Sequence, residues 1–260
     1  MAFNNLIHYA FYINNGYKLL IPKHNLFLFN TTNLNKNVCN CDKIINLTKK
    51  INPCSGHLIT LDEMKNLSLK YAKLNLCIPD NSTYDICIHI RDGDIFSHLV
   101  HFEYVQPSLD YYKQVLINNL NKSICILYVN GNSPIIPKLK EFIKDNNLKN
   151  VTFQHSTVKE DLKILCSCKT LVWSFSSFCF IPYFFSKCLK NNIMPESIFY
   201  RTRGKLWVKP FDIIPTNITI IKHPDYILTG YWKNTKKQIN KMLTYKLPKI
   251  EIEKLKNISN

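Results

Sequence analysis

The sequence predicts an α/β protein built on a mostly parallel sheet, and three observations carry that expectation. Short apolar runs at Tyr84–Ile90, Ser123–Val129 and Lys169–Trp173 have the length and the β-branched content of buried strands. Each run stops at a polar turn: Arg91-Asp92-Gly93-Asp94, Asn130-Gly131-Asn132 and Ser174-Phe175-Ser176-Ser177. Between the runs lie stretches whose apolar residues recur at helical spacing. Strand and helix patterns alternating in this way give α/β layers around a parallel sheet.

Taken in order, residues 4–14 place Leu6, Tyr9, Ala10 and Ile13 on one helical face, and Lys18–Ile21 reads as a short strand stopped by Pro22. Residues 30–56 are polar and read as a long loop. Thr60 and Glu63 form a capping box, opening a helix with Met64, Leu67, Tyr71 and Leu74 along one side. Pro79-Asp80-Asn81-Ser82 is the expected lobe boundary. After the Tyr84–Ile90 strand, Pro107 and Ser108 suit the start of a helix that turns Tyr112, Val115, Leu116 and Leu120 inward. Residues 135–146 form a basic amphipathic helix, and Val151–Gln154 is the next strand. Acids at Glu160 and Asp161 favour the first turn of the helix that follows. Lys169–Trp173 is a strand and Cys179–Leu189 an aromatic helix. Asn217–Lys222 is a late strand, Gly230–Tyr245 a basic helix, and 246–260 a charged tail. No internal repeat of fixed period appears.

A chain of 260 residues, 46% hydrophobic, has enough apolar material for one large domain or two lobes sharing a cleft. The net charge is 34 − 18 = +16. Its spread along the chain, with the abundance of Asn, Lys and Ile, fits an AT-rich coding bias. An anionic substrate or nucleic acid is the functional alternative. The ten cysteines include Cys39-x-Cys41 and Cys166-x-Cys168, neither at zinc-site spacing. Cys87, Cys125, Cys166 and Cys179 sit in apolar runs as small core residues. No stretch of about 18 uninterrupted apolar residues occurs, and the N-terminal residues lack the pattern of a secretory leader. The expected compartment is therefore cytoplasmic, with reduced thiols.

Two turns carry chemistry. Arg91 stands at the carboxyl end of a buried strand, where open α/β sheets place ligands, and its planar fork suits phosphate oxygens. The plain alternative is an ion pair with Asp94 or Asp92 in a surface turn. In the second turn, Ser174, Ser176 and Ser177 lie between a strand and a helix start, so hydroxyls and backbone N–H groups can bind an anion or simply cap the helix. His98, His101 and Glu103 crowd one loop, but no second ligand cluster accompanies them, so no metal site is expected.

The spacing His89-x-Arg91-x-x-Asp94 resembles the HxRxxD element of the GT-B fucosyltransferases, and HIRDGD is most similar to the HIRRGD of the α-1,2-fucosyltransferases. Here Asp92 stands where that family commonly has a second Arg. The order Asp161…Leu165…Cys168-Lys169…Ser174-x-Ser176-x-Phe178 is similar to the family's donor-lobe motif, and Gln106-Pro107…Tyr111-Tyr112 to the helix after its HIRRGD strand. Asn5-Leu6-x-x-Tyr9-Ala10 is similar to its N-terminal NxLFxYA. The resemblance implies a GT-B-like fold of two Rossmann-type lobes: an acceptor-side lobe over 1–80, a GDP-sugar donor lobe over 81–225, and a C-terminal helix and tail over 226–260. It implies an inverting, metal-independent fucosyltransferase that uses GDP-fucose as substrate, needs no cofactor and acts on a glycan or glycoprotein acceptor. Arg91, Asp94 and His89 would then be the catalytic group. Asp161, Ser174, Ser176, Ser177 and Phe178 would line the donor pocket, and Asn5, His24 and Glu103 would lie on the acceptor side. Asp94 or Glu103 would be the acceptor base.

Two other classes fit parts of the sequence. An inactive relative that binds glycans would account for Asp92 and for the missing N-terminal glycines. A nucleic-acid-binding protein would account for the charge, although no recognised module appears and aromatics do not interleave with the basic clusters.

Overall fold

A computed structural model describes residues 18–20, 29–30, 44–46, 60–71, 73–74, 76–97, 100, 104–129, 132–201, 205–206 and 216–256. The chain divides into two compact units, one of residues 1–77 with 208–212 and the other of residues 78–207 with 213–260.

In the first unit, β1 (Lys18–Leu20) pairs in parallel with β3 (Ile44–Asn46), and β2 (Phe29–Asn30) pairs antiparallel with β4 (Lys73–Leu74). Helix α1 (Leu61–Tyr71) opens on the expected capping box. The Thr60 amide donates to Glu63 Oε2 at 2.7 Å, and the Glu63 amide donates to Thr60 Oγ1 at 3.1 Å. Leu61, Met64 and Ser68 are its buried side. The 4–14 helix and most of the 30–56 loop lie outside the described residues.

The second unit is organised by a six-stranded, wholly parallel sheet. Its strands are β5 (Tyr84–His89), β6 (Ile124–Leu127), β7 (Val151–Gln154), β8 (Cys168–Val172), β9 (Asn191–Pro195) and β12 (Ile218–Ile221). A small antiparallel pair, β10 (Tyr200–Arg201) and β11 (Lys205–Leu206), stands apart from it. The spatial order is β12-β9-β8-β5-β6-β7. Numbered along the chain, that is 3-2-1-4-5-6 read from the β7 edge, the doubly wound order that reverses between its first and fourth strands. The reversal falls between β5 and β8, which are hydrogen-bonded neighbours.

Helices cover both faces. On one, α2 (Leu109–Ile117) meets α3 (Ile135–Asp145), α6 (Lys236–Thr244) and α7 (Lys249–Lys256). Ile86, Ile88 and Ile90 point into this side with Ile124, Ile126, Tyr112, Val115, Leu116 and Leu139, each aliphatic chain contributing about 1.5–3 kcal/mol by its burial. On the other face α4 (Val158–Cys166) packs on β5 and β8 and against α5 (Phe180–Phe185). The alternation of the pleat sends Cys87 there, its thiol donating to the Ile164 carbonyl. Cys87, Cys125, Cys166 and Cys179 are buried core residues, as the sequence suggested.

Local chemistry sets the helix starts. Ser108 Oγ accepts from the Tyr111 amide, Thr157 Oγ1 from the Glu160 amide, and Thr235 forms a capping box with Gln238. The structure differs from the sequence reading in several details: the aromatic helix ends at Phe185 rather than Leu189, and Ile44–Asn46 and Asn191–Pro195 are strands that the sequence reading did not contain. Helix α2 ends at Ile117, so Leu120 is 52% exposed rather than inward. The C-terminal basic helix starts at Lys236, after its cap, leaving Trp232 buried in the preceding loop. Within 246–260, Lys249–Lys256 is helical, because Leu247 and Leu255 have core to bury against.

Candidate functional site at the strand reversal

β5 delivers His89, then buried Ile90, then the Arg91-Asp92-Gly93 turn. Gly93 takes φ 76°, a positive value that glycine adopts without cost. A single 3₁₀ turn over Asp94–Phe96 follows. β8 delivers buried Trp173, whose Nε1 donates to Asn192 Oδ1 at 3.0 Å, and then the Ser174–Ser177 turn. Adjacent strand ends therefore carry the two sequence motifs to one place.

Ser174 joins them. Its hydroxyl is fully buried, lies 2.7 Å from His89 Nδ1 and accepts from the Arg91 amide at 3.2 Å. While accepting from the amide, a serine hydroxyl can either donate to that ring nitrogen or accept from it. Burial, with the positive charge of Arg91 adding to it, lowers the His89 pKa to about 3. His89 is therefore neutral at physiological pH. The ring of Phe178 lies 5.5 Å from the His89 ring.

Arg91 is held from three sides. Nε and Nη2 donate to Asp94 Oδ1 and Oδ2 at 3.1 and 2.6 Å. Its guanidinium carbon sits 3.7 Å from the centroid of the Tyr104 ring. Its carbonyl accepts from Gln106 Nε2. A guanidinium carries five N–H donors in a fixed fork, and Asp94 takes two of them. The remaining edge keeps the geometry that grips a phosphate. Both Asp94 oxygens face Arg91, so this carboxylate orients the cation.

Asp92 is 4% exposed, and its Oδ1 accepts from the Val129 amide at 3.0 Å. Asp92 thus ties the Arg91 turn to the end of β6. Ser176 Oγ accepts from the Phe178 amide at 3.2 Å, the capping alternative for this turn, while Ser177 is half-buried beside it.

Asp161 lies in the first turn of α4, on the β6–β7 side. It is 8% exposed, and burial raises its carboxyl pKa. The Ser156 amide supports the carboxylate, while Oδ1 meets no partner among the described residues. Nearby, His155 stacks on Tyr128 at 5.7 Å. The structure therefore brings together His89, Arg91, Asp94, Ser174 and Phe178, with Ser176 and Ser177 in the same turn, and sets Asp161 at a neighbouring flank. Asn5, His24 and Glu103 lie outside the described residues, as do His98 and His101. Among the described residues no three His, Cys, Asp or Glu side chains gather as a metal ion would require.

Sequence reasoning missed the supporting residues Tyr104, Gln106 and Tyr226. Gln106 is the hub: its Oε1 accepts from Tyr112 Oη at 3.3 Å and its carbonyl from Tyr226 Oη at 3.0 Å. The signal was a buried-type amide just before Pro107, readable only once the turn was known to need an anchor.

No protein-family model matches the chain, and no curated protein matches it. Two solved structures are similar to it: E. coli heptosyltransferase WaaC with ADP-2-deoxy-2-fluoro heptose, and E. coli heptosyltransferase WaaC with ADP. Each has a TM-score of 0.38, with 11% and 10% identity over 77% of this chain. The chain spans 57% of the length of those chains. A likeness of this degree decides neither activity nor donor. Among the described residues no helix is long and apolar enough to cross a membrane.

Proposed function

We propose that this protein is a glycosyltransferase that takes its sugar from a nucleoside-diphosphate donor, with GDP-fucose the donor that the HxRxxD resemblance favours. One observation carries the reading. The motif residues His89 and Arg91 meet Ser174 where β5 and β8 reverse the sheet order, the place where doubly wound sheets bind nucleotides.

In this reading Ser174 donates to His89 Nδ1, so the diphosphate lies on the open edge of Arg91 and on the N–H left at Nε2, and the nucleoside on the flank where Asp161 keeps an unused acceptor. As the glycosidic bond breaks, negative charge grows on the departing β-phosphate. A cation fixed beforehand by Asp94, Tyr104 and Gln106 stabilises that charge without reorganising. A neutral His89 adds a hydrogen bond and no second buried charge.

The test is calorimetric titration with GDP, GDP-fucose, GDP-mannose and UDP-sugars, on wild type and Arg91→Ala. Selective binding of GDP compounds that is lost in the variant supports the reading. Absence of any nucleotide binding by the wild type would discard it, and salt-steep binding of random RNA or DNA would then promote the basic surface.

A further inference from the structure

A cavity of about 280 Å³ opens at the carboxyl edge of the same sheet, two strands along from the reversal. Glu196, Ser197 and Tyr200 reach it from the chain after β9, and His223, Tyr226 and Thr229 from the chain after β12. Among the described residues neither Lys nor Arg lines it. Glu196 puts a carboxylate on its wall, and like charge repels a phosphate. The volume sits just below the roughly 300–1,000 Å³ of drug-sized pockets, enough for one ring and too little for a nucleotide.

Two of the polar groups, on Glu196 and His223, offer acceptors. His223 donates one ring N–H to the Ile221 carbonyl, while burial lowers its pKa to about 4. Its Nε2 therefore carries a lone pair, is buried, and meets no partner among the described residues. A buried acceptor left unmatched costs free energy until a ligand donor supplies it. Glu196 adds carboxylate oxygens, and Ser197 and Thr229 add hydroxyls. Tyr200 and Tyr226 give aromatic walls against which the apolar C–H face of a sugar can lie. Tyr226 Oη is committed to the Gln106 carbonyl, and Gln106 Nε2 bonds the Arg91 carbonyl. One side chain thus links the cavity wall to the Arg91 turn.

We propose that this cavity binds a single neutral pyranose ring, with Glu196 and His223 accepting from its hydroxyls and Tyr200 covering its apolar face. It extends the glycosyl-transfer reading and rests on it only for placing the diphosphate next door. The ring belongs either to the acceptor or to the sugar of the donor.

The experiment is saturation-transfer NMR with a panel of free neutral monosaccharides on wild type, Glu196→Gln and Tyr200→Leu, alongside calorimetry with GDP and GDP-fucose. The expected result is binding of at least one neutral sugar, weakened about tenfold or more in Glu196→Gln, the scale of one hydrogen bond to a charged group. Tyr200→Leu should weaken it independently, and GDP alone should bind both variants as it binds wild type. If Glu196→Gln weakens GDP-fucose and spares GDP, the ring is the donor's; if it weakens only the free sugar, the ring is the acceptor's. No sugar binding by a wild type that binds GDP would overturn the cavity assignment and leave the transferase reading standing. Sugar binding indifferent to both substitutions would overturn it equally. Sugar binding without GDP binding would uphold the cavity and remove the transferase reading.

Discussion

His89 Nδ1 and Ser174 Oγ, 85 positions apart in sequence, are 2.7 Å apart in the fold. That bond holds the imidazole, and the same oxygen, accepting from the Arg91 amide, holds the turn that carries the cation. Ser174→Ala leaves two buried groups unmatched, at about 1–3 kcal/mol for each such group. Urea unfolding should show the loss, and GDP affinity should fall with it. Unchanged stability would mean that the hydroxyl is not the link.

Arg91→Ala should reduce kcat/KM by about 2–4 kcal/mol, the scale of losing one preorganised electrostatic donor. Arg91→Lys should recover little, because a point charge cannot replace a fork held by a carboxylate and stacked on a ring.

Asp94 acts through Arg91, so the two substitutions should not add. In a double-mutant cycle, Asp94→Ala on its own lowers kcat/KM, while on an Arg91→Ala background it costs little more. Full additivity would instead give Asp94 a separate part in the chemistry, such as that of the acceptor base.

Asp92→Arg restores the spelling of the resembling family and should nonetheless destabilise the protein. Asp92 is buried and holds the Val129 amide, so the change removes an acceptor and buries a cation, at about 3–5 kcal/mol. Thermal melting of this variant against Asp92→Asn would show it. A stable, more active Asp92→Arg protein would argue that this position had simply decayed.

Stability should fall on mild acidification. The folded pKa values of His89, about 3, and His223, about 4, lie below the ordinary 6.5. Between those limits the unfolded chain binds more protons, so the stabilisation is complete above about pH 6.5 and is lost as pH falls. The slope is at most about 1.4 kcal/mol per pH unit for each histidine. Urea midpoints between pH 7.5 and 5 should show the decline, and His223→Gln should flatten it.

Much of the described fold could be read from sequence because its signals are local. Ile86, Ile88 and Ile90 announce β5, and Thr60, Ser108 and Thr157 mark helix starts by hydrogen bonds within three residues. β9 was unreadable because Asn191-Asn192 and Pro195 disguise it. Asn192 is tolerated inside only because Trp173 donates to it across the sheet. The Arg91–Asp94 pair was legible as one of two options, since both residues sit in one turn. The bond from Ser174 to His89 was not, because periodicity carries no information about which strands become neighbours. Gln106 and Tyr226 were hidden for the same reason.

The strand order also sets a timetable. β5, β6 and β7 leave the ribosome before β8, yet β8 lies directly beside β5. A nascent chain ending at Gln154 already contains the Arg91 turn and lacks the serine that fixes it. Half of the sheet must therefore wait with one flank of its founding strand unpaired, an exposed edge of the kind that invites misassociation during synthesis. Ser174, the residue that completes the site, also closes that interval.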